Sequence, residues 1–329
     1  MTTFKEIRGT AIQVLSSDPS NPIEGQIWYN SSSGTLKGYQ LANVNAWAAG
    51  GNYPVATNGN AATGTQTAGL SWSGYTTTYT PAANLYNGTA WTATGSVNRA
   101  MYYSIGAGNQ TATIKFGGES TTASYDNYVE TFNGSTWTAN PATLNNGRSF
   151  LSGCGTQTAA LAVGGQIPPS GAGSNYTEKW NGTSWTSSGN YPGSYYGMYA
   201  FGTQTAAIAC GGNPGTTNAN SFNGSTWTSV SSMNTARDMF GGAGVQTAGI
   251  IFGGRLAPTF ASTTGATELY NGTSWTSNPT GLATARRNVG SCGSQSLALF
   301  ACGDAGPAYT ASTEEWTGQA LLTKTITVS

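Results

Sequence analysis

A pattern that returns six times constrains this chain more than any single residue. Gln-Thr pairs, with Gln-Ser in the last copy, fall at Gln66, Gln110, Gln157, Gln204, Gln246 and Gln295, spaced by 44, 47, 47, 42 and 49 residues. A second marker keeps the same period. Trp91, Trp137, Trp185, Trp227 and Trp275 each close an Asn-Gly-Thr/Ser-x-Trp motif that opens at Asn87, Asn133, Asn181, Asn223 and Asn271. Repeats of this length are single supersecondary pieces that bury their apolar faces by stacking on one another. Inside each, a glycine-punctuated strand runs into the Gln-Thr turn, and an apolar run such as Ala248 to Phe252 ends at Gly253-Gly254. After a variable connection, a third short strand ends at Tyr270. There Asn271-Gly272 predicts a type I′ hairpin, whose two central positions both need positive φ. No stretch carries helical periodicity, so each unit reads as four short antiparallel strands.

Four strands per unit predict the blade of a β-propeller, whose radial closure avoids exposed sheet edges. The order of signals also resembles the Kelch motif: Arg237 opening the first strand, the apolar run into Gly253-Gly254, then Glu268-x-Tyr270 and Trp275 five residues on. The resemblance covers residues 53 to 316 and weakens in the first unit, where Ser73-Gly74 replaces the diglycine and no arginine opens the strand. It implies an all-β fold, a six-bladed Kelch-like β-propeller over 46–329, with a short N-terminal β-hairpin extension over 1–45. Such a repeat specifies architecture and says little about function.

The chain has 329 residues, room for one propeller and a short extra segment. Only 7% of residues are charged, with 12 basic against 12 acidic. That balance argues against a nucleic-acid partner, which selects a basic stripe. No apolar run approaches a membrane span, and the N-terminus lacks the hydrophobic region of a secretion signal. Low charge with much Gly and Ser can mean disorder, but ten Trp, seventeen Tyr and ten Phe, many at fixed phase, point to a packed core. Cys154 and Cys292 share one repeat position, where other units carry Ala107 and Ala243, and Cys210 and Cys302 share another. These positions read as buried strand, so the cysteines are expected to be free packing thiols, with no metal and no cofactor. The repeated Asn-Gly-Ser/Thr is also a glycosylation sequon, better explained here by its turn.

Residues 1–45 stand outside the repeat. An alternating strand, Thr10 to Leu15, precedes a Pro-bearing turn, and Glu24 to Asn30 and Thr35 to Tyr39 flank Ser31–Gly34 as a hairpin. The run SSDPSNPIEGQIWYNSSSGTLKGY, followed by units rich in GTQTA and NGTSWT, resembles virion proteins of tailed bacteriophages, particularly tail-fibre-like proteins of marine phages. That resemblance implies location in a virion, assembly into an oligomer, and attachment to other virion proteins through this segment by Ile27, Trp28, Tyr29, Leu36 and Tyr39. The same strands also suit completion of the ring. Trp47 resembles the outer-strand tryptophans, and Leu321 to Val328 could equally supply the sixth blade's last strand.

Strand alternation sorts the loops. The Gln-Thr and Asn-Gly turns share one face and barely vary, while the second-to-third and fourth-to-first connections share the other and differ in length and chemistry. Variable loops on a rigid scaffold are where binding concentrates. They carry Tyr75, Tyr79, Tyr125, Arg255, Phe260 and Tyr309, with Tyr191, Tyr195 and Tyr196 from the fourth-to-first connections. Aromatic and amide-rich loops suit sugar rings, which stack on the one and hydrogen-bond to the other. The recurring Arg99, Arg148, Arg237 and Arg286, and Glu130, Glu178, Glu268 and Glu314, are expected to serve the blades themselves.

Enzyme chemistry is not expected. The chain has no histidine, which removes Ser-His-Asp and Cys-His arrangements. Asp126, Asp238 and Asp304 stand outside the repeated glutamate position, but no motif pairs them for glycoside hydrolysis. The expected function is structural and adhesive: a host-surface polysaccharide or receptor bound by the variable face. The alternative is a capsid or tail decoration or assembly protein that touches only other virion proteins.

Overall fold

The structure, a computed structural model, describes residues 12–259 and 261–326. Phe260 lies outside the described residues. The chain divides into two compact units, Met1–Asn45 with Gly318–Ser329, and Ala46–Thr317. Residues 318–326 therefore group with the N-terminal unit and not with the repeats.

The larger unit is all β, with no helix among the described residues. Five four-stranded antiparallel sheets follow one another over 61–93, 105–140, 152–187, 199–230 and 241–278, each keeping its strands in chain order. The sixth uses Gly290–Gly293, Leu297–Ala301 and the start of Thr313–Thr325, then takes its fourth strand from the end of Thr35–Ala49. Trp47 sits there against Phe252, Phe300 and Trp316. Neighbouring sheets share their cores: Leu70 and Trp72 pack with Phe132 and Trp137, and Ile114 and Phe116 with Trp180 and Trp185. Each such side chain contributes about 1.5–3 kcal/mol by leaving water. This is a propeller-like arrangement of sheets.

The anchoring glutamines join the sheets. Each side-chain amide donates to two backbone carbonyls of the preceding sheet: Gln110 to Gly69 and Tyr86 (3.0 and 2.7 Å), Gln157 to Thr113 and Phe132 (3.1 and 2.7 Å). Gln204, Gln246 and Gln295 repeat this, and Gln66 reaches Ala298 and Trp316 of the sixth sheet at 3.1 and 2.7 Å. A neutral amide with two donors bonds both carbonyls without burying charge.

The first strands face one another in sequence, and that of the sixth sheet contacts that of the first. Just before each first strand lies a left-handed residue, Gly59, Tyr103, Phe150, Gly197, Met239 or Asn288, with φ of 52–64°. Backbone hydrogen bonds link them. Asn288 donates to Met239, Met239 to Gly197, Gly197 to Phe150, Tyr103 to Gly59 and Gly59 to Asn288, at 2.7–3.3 Å.

Two local expectations need correction. The Asn-Gly sites are four-residue loops, not two-residue I′ turns: Tyr270 pairs with Trp275, and only Gly272 has positive φ. Asn271 Oδ1 instead accepts from the Thr273 and Ser274 amides at 2.9 and 2.8 Å, an Asx turn. The arginine series also breaks. Arg148, Arg237 and Arg286 form buried pairs with Glu178, Glu268 and Glu314 at 2.8, 2.6 and 2.8 Å. Arg99 lies two residues further from its glutamine than they do, emerges half-buried, and pairs with Asp126 at 2.9 Å while lying over Tyr128. Lys115 takes the place beside Glu130 at 3.5 Å, and burial pulls its ammonium down to about 8. In the first and fourth sheets the acid becomes Asn84 or Asn220, bonded to the hydroxyl of Tyr53 or Tyr191 at 2.8 Å.

Candidate binding face

The second-to-third and fourth-to-first connections meet on the face that carries the left-handed residues. In every sheet the residue before the left-handed one bridges the residue after the second strand's glycine. The partners are Asn58 with Tyr75, Tyr102 with Glu119, Ser149 with Gln166, Tyr196 with Asn213, Asp238 with Arg255, and Arg287 with Asp304. Backbone is constant here while no two pairs carry the same side chains in the same order.

Seven aromatic rings from five sheets form one connected arc. Tyr309 packs edge-on to Tyr75, which also meets Tyr79 and Tyr102 at 5.7 Å. Tyr102, Tyr103 and Phe150 then stack at successive centroid separations of 3.5 Å, and Phe150 meets Tyr196 at 5.9 Å. Amides hold the stack: Asn58 donates to the Tyr102 hydroxyl at 2.6 Å, Asn288 to that of Tyr103 at 3.3 Å, and the two hydroxyls bond to each other. Burial pushes both phenols well above their usual range, so they stay neutral.

The arginines on this face are paired, while the Glu119 carboxylate accepts from the Tyr79 hydroxyl at 2.6 Å. Arg255 grips Asp238 with Nε at 2.9 Å and Nη2 at 2.6 Å, and Arg287 grips Asp304 at 3.0 and 2.8 Å. With Asp126 on Arg99, all three aspartates considered for catalysis are buried and hold arginines. Between the left-handed residues lies a cavity of ≈ 80 Å³, bounded towards the interior by Tyr199 and Ser291, whose hydroxyls are 3.0 Å apart. Ser104 lines it, is 6% exposed, and its hydroxyl has no hydrogen-bond partner.

Of the residues predicted to bind, Tyr75, Tyr79, Tyr196 and Tyr309 fall in the arc. Arg255 is on the same face, held by Asp238. Tyr195 is half-buried and accepts from Asn218 at 3.3 Å, and Tyr125 packs its hydroxyl against Gly171. Tyr191 does not belong to the face: it is 2% exposed, and its hydroxyl donates to Ala209 and accepts from Asn220. Sequence reasoning missed Tyr102, Tyr103, Phe150, Met239 and Asn288. The signal of all but Tyr102, which stands one residue earlier, is a column seven residues before each anchoring glutamine, where an invariant register holds Gly, Tyr, Phe, Gly, Met and Asn.

In the smaller unit, Gln13–Leu15 runs parallel to Trp28–Asn30, and Ile27–Asn30 pairs antiparallel with residues 35–38. Trp28 is fully buried and not a contact surface. Its Nε1 donates to Asp18 Oδ1 at 3.0 Å, as does Asn30 Nδ2 at 2.7 Å, while Lys37 Nζ reaches Oδ2 at 2.8 Å. Lys37 first, then Asn30 and Trp28, holds the Asp18 carboxyl down at about 2. Tyr29 is exposed beside Val14, while Ile27, Leu36 and Tyr39 are half-buried.

All four cysteines are buried and free. Among the described residues no cluster of acids or thiols could hold a metal, and no helix is long and apolar enough to cross a membrane. Compared with known proteins, the chain matches no family model and no curated relative.

Proposed function

We propose that the six sheets are the blades of a six-bladed Kelch-like propeller, closed by the N-terminal strand, and that the protein is a non-enzymatic structural component of a tailed-phage particle. The variable face binds a host-surface glycan or receptor, and the N-terminal unit attaches to other virion proteins. The observation that carries the binding assignment is the aromatic arc from Tyr309 to Tyr196, set beside aspartate-paired arginines on an otherwise repetitive scaffold. Exposed Val14 (65%), Ile23 (71%) and Tyr29 in the smaller unit favour attachment there. The phage assignment rests on the Ser16–Tyr39 segment.

The test is saturable binding of the fluorescently labelled full chain to a panel of bacterial cells, with their surface polysaccharide as competitor. Saturable binding that polysaccharide displaces supports the reading. Absence of binding across hosts of tailed phages, by a folded chain, assigns the protein instead to decoration or assembly.

A further inference from the structure

The six left-handed positions pose a physical question. Gly59 and Gly197 show that glycine meets the backbone requirement, yet Tyr103, Phe150, Met239 and Asn288 carry side chains there in a conformation that disfavours them. Strain of this kind gathers at ligand clamps, where surrounding structure holds it in place. Here five backbone hydrogen bonds, running from Phe150 through Gly197, Met239, Asn288 and Gly59 to Tyr103, do the holding. The side chains so retained line the axial cavity, and two of them form the centre of the aromatic arc.

We propose that these left-handed side chains are the contact residues for an uncharged saccharide, laid on the Phe150 end of the aromatic stack with one small polar substituent entering the cavity towards Ser104. This deepens the glycan-binding reading and rests on it. Three observations converge. The stack offers apolar ring faces of the kind that sugar C–H groups cover. The cavity, ≈ 80 Å³, has room for a hydroxymethyl or acetamido group, and the buried hydroxyl of Ser104, in its lining, has no partner. The arginines at the rim are each gripped by an aspartate, so the face holds no uncompensated positive cluster to favour an anionic sugar.

The test uses the full chain and polysaccharide from cells that it binds, separated by anion exchange into neutral and acidic fractions. Phe150→Gly and Tyr103→Gly remove the rings while relieving the backbone, and a cooperative melting transition for each variant shows that it is folded. The expected result is binding of the neutral fraction, weakened at least tenfold by either glycine, with Ser104→Ala weakening it less. Unchanged binding by the folded glycine variants, or binding of the acidic fraction alone, overturns this inference and leaves the adhesive reading standing. Failure of the wild-type chain to bind any cell or fraction overturns both.

Discussion

Single residues show where the repeat is satisfied and where it is not. The outer-strand tryptophans reach to the preceding sheet: Trp47 donates to Thr267, Trp91 to Thr313 and Trp227 to Thr177, all at 2.9–3.0 Å. Where that threonine is replaced by Ala83 or Val129, Trp137 and Trp185 have no partner for their indole N–H. Val129→Thr is nearly isosteric and supplies the missing oxygen. It should stabilise the fold by about 1 kcal/mol, read as a raised melting temperature, because a buried orphan donor costs about that much or more. A lowered melting temperature would show the hydroxyl misplaced. The tryptophan column was legible in the sequence, but its acceptors were not, since they lie in another repeat. The left-handed column was also countable from each glutamine, yet its mixed chemistry hid it.

At the scale of the element, the Gln-Thr turn does two jobs. Its two residues close a hairpin, with Gly64 and its equivalents left-handed because a Cβ there would strike the following strand's carbonyl. Its glutamine then fastens that hairpin to the sheet before it. Gln157→Ala removes the two hydrogen bonds to the Thr113 and Phe132 carbonyls and should cost about 2 kcal/mol in denaturant unfolding, whereas substituting the exposed neighbour Thr158 by Ala should cost under about 0.5 kcal/mol. Equal effects would contradict the staple. Strand number and order were legible from alternation and glycine spacing. The Asn-Gly geometry was not, because the dipeptide signals a tight turn whereas the two residues after it lengthen the loop. Nor was the exchange of buried Arg–Glu for Tyr–Asn in the first and fourth sheets, which links residues about thirty positions apart.

At the scale of the whole molecule, the core sets the response to pH. Burial raises four thiols and the phenols of Tyr53, Tyr79, Tyr86, Tyr102, Tyr103, Tyr191 and Tyr199 above their usual values. The unfolded chain sheds these protons first, near pH 9 for thiols and 10 for phenols, so the stabilisation is present below that range and lost above it. Lys115, lowered to about 8, acts in the opposite sense between there and its ordinary 10.5, and Arg148, Arg237 and Arg286, also lowered by burial, do so below their ordinary 12.5, against the more numerous thiols and phenols. The melting temperature should therefore fall steeply from pH 9 to 12, and a flat profile would contradict the buried assignments. Fold class, repeat number and the variable face follow from periodicity. The convergence of side chains from five sheets on one arc does not, because each repeat contributes a different residue.

The most direct test of the account follows amide hydrogen exchange along the full chain as polysaccharide from bound cells is added to saturation. The account predicts new protection around Gly59, Tyr103, Phe150, Met239 and Asn288 and in the loops holding Tyr75 and Tyr309, with residues 12–45 unchanged. Protection confined to 12–45, with the left-handed ring exchanging as before, would contradict it.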